Sequence, residues 1–284
     1  MKVHGKLTIF PDGRYDVCTC SRAIFEDPAD PDHRGSAGKG SDPQCQSLTT
    51  GSAGMRITKR DQYADHLRAT LGDDGSAAAA AYLERCAVDD VERARLRARS
   101  AVRRLALCNE FRWFVTLTIN PDLMDSHDPE IVVKRLSQWC SNQVKRRGLR
   151  YILVPERHKK GGIHFHGFFT DCMEAVDSGH VDKKGHKVYN LPGWSYGFTT
   201  AVELYGDYHA AVGYVCKYIG KDAEKIGGRW YYSGGKLEKP VEKCVDLTYE
   251  AMVDLYGVDN IWTRATPAGI MNGITCGGMK GERL

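Results

Sequence analysis

The sequence predicts an α+β fold with helices packed on one face of a central antiparallel β-sheet, and three observations predict it. Between residues 111 and 232, short β-branched and aromatic runs alternate with two amphipathic segments, in the order strand, helix, strand, strand, strand, helix, strand. Two of those runs, 151–155 and 163–170, are separated by the turn-like His158-Lys159-Lys160-Gly161-Gly162, which suits an antiparallel hairpin. The 284 residues, 42% hydrophobic and 27% charged, suffice for a buried core, and no apolar run approaches the length of a membrane span.

Each element has a local cause. Residues 1–20 alternate as a β-hairpin does, with Pro11-Asp12-Gly13 at the turn. Residues 26–54, rich in Gly, Ser, Pro and Asp, read as a long mobile loop. A helix is expected from Ala77 to Cys108, opening with five consecutive alanines. It carries Arg93, Arg95, Arg97, Arg99, Arg103 and Arg104, which suit either a solvated face or a DNA-backbone contact. Phe111–Asn120 (FRWFVTLTIN), closed by Pro121, is a strand. Pro129–Arg147 sets Val132, Leu136, Trp139 and Val144 on one helical face. Strands follow at Tyr151–Pro155, Ile163–Thr170 and Phe198–Leu204, then a helix from Asp207 to about Lys225 and a short strand at Arg229–Tyr232. The expected division is an N-terminal extension, 1–108, a central domain, 109–240, and a C-terminal extension, 241–284.

A net charge of +4 permits a nucleic-acid partner without requiring one, because only clustered charge binds phosphates. The start, MKVHGKLTIF, lacks the charged-then-apolar pattern of a signal peptide, so a soluble, cytoplasmic protein with no membrane partner is expected. The ten cysteines are scattered and read as free thiols. Cys18 and Cys20 with Cys45 and His33 leave a zinc site open, although no second close cysteine pair follows.

Three short segments carry chemistry. In His164-Phe165-His166 the imidazoles lie two residues apart on a strand, so both project from one face. Glu156, at the end of the preceding strand, returns to the same edge of the sheet if the two strands form a hairpin. Two histidines and a carboxylate leave open positions for substrate, and mixed N/O donors suit Mg²⁺ or Mn²⁺. In Tyr214-Val215-Cys216-Lys217-Tyr218-Ile219-Gly220-Lys221, Tyr214 and Tyr218 are one helical turn apart, with Lys217 and Lys221 forming a second such pair. A phenol has a pKa near 10 and needs a base, a metal-polarised electrophile or positive charge nearby before it attacks phosphorus. In Thr116-Leu117-Thr118 the hydroxyls share one face, where they can bond DNA or support a site on the next strand. Each segment alone also fits ordinary packing.

Taken in order, FVTLT (114–118), HFHGFF (164–169) and YVCKYIGK (214–221) resemble the three motifs of HUH endonucleases, specifically the two-tyrosine rolling-circle replication initiators of small single-stranded DNA phages and plasmids. Trp230-Tyr231-Tyr232-Ser233-Gly234-Gly235 resembles the W-x-x-S-x-G segment that follows the tyrosine helix in related phage initiators. The resemblance spans about residues 110–240. It implies an RRM-like (ferredoxin-like) sheet, with Glu156, His164 and His166 holding one Mg²⁺ or Mn²⁺. Tyr214 and Tyr218 would attack the phosphodiester in turn, giving a 5′-phosphotyrosine and a free 3′-hydroxyl, while Lys217 or Lys221 offsets phosphate charge.

DNA contacts are expected from Thr116 and Thr118, from Arg157, Lys159 and Lys160 in the hairpin turn, and from Arg146 and Arg147 on the first helix of the central domain. Lys134, Arg135, Lys145 and Arg150 cluster around that same helix. Trp194, Tyr196 and Phe198 suit either base stacking or core packing, and His180 and His186 read as surface residues. Gly35-Ser36-Ala37-Gly38-Lys39-Gly40 has the wrong spacing for a phosphate-binding loop, so duplex unwinding is expected from a separate host helicase, with a host polymerase extending the nick. The partner is single-stranded origin DNA, in the cytoplasm of a bacterium carrying the phage or plasmid. A DNA transposase of the same superfamily and a catalytically silent nucleic-acid-binding module are the alternatives.

Overall fold

The computed structural model describes residues 2–26, 58–204, 208–222, 224–266 and 269–275. All but the first residue of the loop expected over 26–54 lies outside them, together with His33, Cys45 and Gly35–Gly40. Cys18 and Cys20 are described, as free thiols.

The chain begins with β1 (Lys2–Val3), β2 (Gly5–Ile9), β3 (Tyr15–Cys20) and β4 (Phe25–Glu26). β2 and β3 form the expected hairpin, closed by the Phe10 N–H donating to the Arg14 carbonyl at 2.8 Å, with Gly13 at φ 85° in the turn. Two helices follow, α1 (Lys59–Thr70) and α2 (Gly75–Leu107). α1 was not expected. It starts at a capping box in which Thr58 and Asp61 bond each other's backbone N–H, a signal that no apolar stripe accompanies.

The central sheet is built from β5 (Trp113–Ile119), β6 (Tyr151–Arg157), β7 (Ile163–Phe169), β8 (Val176–Val181), β9 (Lys187–Asn190), β10 (Gly197–Glu203) and β11 (Tyr232–Gly234). These are antiparallel throughout and ordered β11-β6-β7-β5-β10-β9-β8. α3 (Pro129–Arg147) lies between β5 and β6, and α4 (Tyr208–Tyr218) between β10 and β11. α3 starts on the Asp128 side chain, which accepts from the Glu130 and Ile131 N–H groups, and stops at Gly148 with φ 69°.

Helices cover both faces of this sheet rather than one. Val132, Leu136, Trp139 and Cys140 of α3 pack on Val115, Leu117, Leu153, Phe165 and Phe169. On the other face, Val102 and Ala106 of α2, with Val212, Val215 and Ile219 at α4, pack on Ile152, Val154 and Phe168. The reason was present in the sequence: Ile152, Leu153 and Val154 are consecutive and all buried, which requires cover above and below a strand.

Described strands of the expected N-terminal and C-terminal extensions meet in a second sheet. β12 (Val241–Val245) pairs with β2, and β14 (Gly269–Ile274) pairs with β3 and with β13 (Trp262–Thr266), giving the order β12-β2-β3-β14-β13. The short helix α5 (Tyr249–Tyr256) lies between β12 and β13. α2 joins the two parts through 2.7 Å ion pairs from Arg103 to Asp16 and from Arg104 to Glu242. Among the described residues, no helix is long and apolar enough to cross a membrane.

Candidate active site at the uncovered end of the central sheet

The helix-covered part of the α2–α4 face gives way, toward one end, to polar rows set by strand register. Glu156 on β6 stands opposite His164 on β7, His164 opposite Thr118 on β5, and Thr118 opposite Phe198 on β10. The neighbouring row is Val154, His166, Thr116 and Thr200. Directly opposed residues project from one face, so the register alone places Glu156, both histidines and both threonines together.

Their side chains interlock. His166 Nε2 lies 2.8 Å from Glu156 Oε2, and Thr116 Oγ1 lies 3.0 Å from His166 Nδ1. Thr118 Oγ1 is 3.4 Å from His164 Nδ1, and the His158 ring stacks on His164 at 5.1 Å. Burial pushes the His166 pKa down to about 4 against the opposing pull of the Glu156 carboxylate. Burial, then the nearby His158, lowers His164 as well. Both imidazoles are therefore neutral at pH 7, the form that ligates metals. For neutral His166, both bonds are satisfied when Nε2–H donates to Glu156 and the Thr116 hydroxyl donates to Nδ1.

α4 brings the tyrosines to this row. The Tyr218 ring stacks on His166 with centroids 4.0 Å apart, and its hydroxyl donates to Tyr214 Oη at 2.7 Å. The two phenols differ in access: Tyr218 is 8% exposed and Tyr214 48%. Burial, then the bond to Tyr214, pushes the Tyr218 phenol well above its ordinary value. Tyr214 meets Phe114 edge-on at 5.7 Å.

α4 ends at Tyr218, earlier than the expected 225, because Gly220 turns the chain with φ 83°. Arg99 donates to the Ile219 carbonyl at 3.0 Å, and Arg95 to the Gly220 carbonyl at 2.8 Å. Four of the six arginines in the α2 run are thus tertiary struts, since Arg103 pairs with Asp16 and Arg104 with Glu242, while Arg93 pairs with Asp90 within α2. Lys217 and Lys221 do not form a helical pair. Lys217 is exposed on α4, whereas Lys221 lies beyond the turn, its Nζ 2.6 Å from Glu156 Oε1 and 4.6 Å from the Tyr218 ring centroid.

The donor types of Glu156, His164 and His166, one shielded carboxylate and two neutral imidazoles on adjacent strands, fit a divalent cation. Their present arrangement is closed: Glu156 is shared between His166 and Lys221, and the two histidine centroids are 6.5 Å apart. Accordingly, among the described residues no three His, Cys, Asp or Glu side chains stand as a metal-holding group.

The remaining candidates separate. Arg157 holds the turn, donating to the carbonyls of His127 (3.3 Å) and Gly161 (3.4 Å), while Lys159 and Lys160 are exposed beside it. Arg146 and Arg147 are exposed at the end of α3, on the opposite face and toward the far end of β6, so the fold does not bring them to the site. Trp194 is buried and donates to the Thr118 carbonyl at 3.2 Å; Tyr196 packs on it, and Phe198 stays 66% exposed. His180 is exposed and His186 bonds Asp182, as surface residues do. Trp230 and Tyr232 are buried, with Tyr232 donating to the Ile226 carbonyl at 2.7 Å, so the segment after the tyrosine helix is structural here. Sequence reasoning missed His158, Phe114, Arg95, Arg99 and Asp222, whose carboxylate accepts from the Arg157 N–H at 3.0 Å. Only Gly220 offered a signal, as a helix stop.

Residues 112–223 match the family model for the replication-associated protein ORF2 family. The matched span is under half of the chain and contains Glu156, His164, His166 and both α4 tyrosines. This part of the chain is similar to replication-associated proteins, which supports a replication initiator that binds DNA. Neither curated proteins nor solved structures give a match.

Proposed function

We propose that the chain is a rolling-circle replication initiator of the HUH type, which nicks single-stranded origin DNA by tyrosine attack and later rejoins it. The observation that carries this reading is the meeting of two elements remote in sequence, the Tyr218 ring lying on His166 beside Glu156. Tyr214, the accessible phenol, attacks first. Its oxygen gives up its proton to solvent and bonds to phosphorus as the bond to the 3′ oxygen breaks; that oxygen takes up a proton, leaving a 5′-phosphotyrosine and a 3′-hydroxyl for a polymerase. The Tyr218 hydroxyl, donating to Tyr214 Oη, stabilises charge on the attacking oxygen and holds it in place. Lys221 supplies the cation nearest the Glu156 carboxylate and offsets phosphate charge. Mg²⁺ or Mn²⁺, held by Glu156, His164 and His166, would polarise the scissile phosphate. In the second cleavage Tyr218 takes the attacking role while Tyr214 holds the first adduct. The similarity to replication-associated proteins favours replication over transposition.

Incubating the protein with single-stranded origin DNA and Mn²⁺ tests the proposal. A denaturation-resistant protein–DNA adduct on an α4 tyrosine is expected. Intact DNA and no adduct would leave a binding module without nicking activity.

A further inference from the structure

The site row does not stop at Thr118. Its next member is Phe198, on β10, which pairs with β5 along its whole length and with β9 only at Ala201 and Val202. Alternation along β10 turns Thr199 and Ala201 into the α3 core and leaves Phe198 and Thr200 exposed on the site face. α4 packs on β6 and β7, so the face is open at β10. A single exposed aromatic is ordinary on a protein surface. This one stands in cross-strand register with Thr118, His164 and Glu156, about 10 Å (two strand spacings) from His164. Exposed Lys159 and Lys160 lie at the same end of the sheet, so an apolar ring and phosphate-binding charge flank one polar row.

We propose that Phe198 is a base-stacking subsite for single-stranded DNA, gripping an unpaired nucleotide next to the one whose phosphate lies over the Glu156–His164 row. The proposal rests on the reading of this face as a single-strand nicking site. A planar ring standing clear of the sheet accepts any base by its π-face, which fixes position without reading sequence. Phosphate contacts from the lysines add salt-dependent affinity. Trp194 and Tyr196, the other aromatics of this segment, are committed to packing, so the role falls to Phe198.

The test is binding of a fluorescently labelled single-stranded oligonucleotide by the full chain, in EDTA so that no cleavage intervenes. Phe198→Ala is expected to weaken binding about ten-fold or more, Phe198→Leu to weaken it comparably, and Phe198→Trp to keep the wild-type affinity. The slope of affinity against salt should be unchanged in all three, since no phosphate contact is removed. An exposed side chain contributes little to folding, and unchanged thermal melting of each variant confirms this. If wild type binds while the Ala and Leu variants bind equally well, the subsite is overturned and the nicking proposal stands. If wild type itself does not bind single strands, both fall.

Discussion

The two faces of the central sheet are made from the same strands, yet one is closed and the other is half open. On the α3 face, Val115, Leu117, Phe165 and Phe169 interdigitate with Leu136 and Trp139 in a continuous apolar layer. On the α2–α4 face that layer stops at Val154 and Phe168, and the next residues along the same strands are Glu156, His166, His164, Thr116 and Thr118. One face fixes where the strands lie, and the other uses that fixed spacing to hold polar groups that would be costly to bury unpaired. Where the helices end, chemistry becomes possible.

Substitutions on the two faces should therefore fail in different ways. The largest effect is expected at Tyr214: Tyr214→Phe should reduce adduct formation about a thousand-fold or more without changing the melting temperature. Tyr218→Phe, which removes a hydrogen bond to a developing charge, should slow the first cleavage about 10- to 100-fold, with the adduct still on Tyr214. Peptide mapping of the adduct decides this, and an adduct on Tyr218 in wild type would reverse the assignment. On the closed face, Leu136→Ala should cost about 2–5 kcal/mol in urea unfolding while adduct formation per folded molecule is unchanged.

Arg99→Met sharpens the comparison, since it belongs to the open face but acts from α2. Leaving the Ile219 carbonyl without its partner should cost about 1–3 kcal/mol in stability and also slow cleavage, because the turn beyond Tyr218 loosens. A loss of stability with unchanged cleavage per folded molecule would show that α2 merely braces the domain.

The last effect concerns pH in metal-free protein. His166 faces Glu156, His164, Lys221 and Tyr218, and its pKa falls from an ordinary 6.5 to about 4. Between those values the unfolded chain binds the proton and the folded one does not, so stability is full above pH 6.5 and declines as pH falls toward 4. His166→Gln should flatten that part of the melting-temperature profile, and parallel profiles for both proteins would refute the assignment.

Much of the site was legible because register and helical spacing are local rules. Alternation put His164 and His166 on one face, and a five-residue turn returned Glu156 to them. Arg95 and Arg99 were not legible as positioning groups. Their partners are carbonyls more than a hundred residues away, and a carbonyl has no residue-type signature. The β8–β9 hairpin was missed because Val176–Val181 is exposed along nearly its whole length, so no half-buried alternation marks it. Arg146 and Arg147 were expected at the DNA on the strength of charge alone, and charge does not say which side of a sheet a helix will cover.

By itself the sequence determined the α+β class, the positions of most central strands and of α3, and the grouping of Glu156, His164 and His166, all consequences of period and turn chemistry over short spans. Only the tertiary structure decided which helices cover each face, and that strands from residues 5–20 and 241–274 share a sheet. It alone decided that Tyr214 is open while Tyr218 lies on His166. Those outcomes depend on which distant surfaces bury each other, and burial belongs to the whole fold rather than to any window of residues.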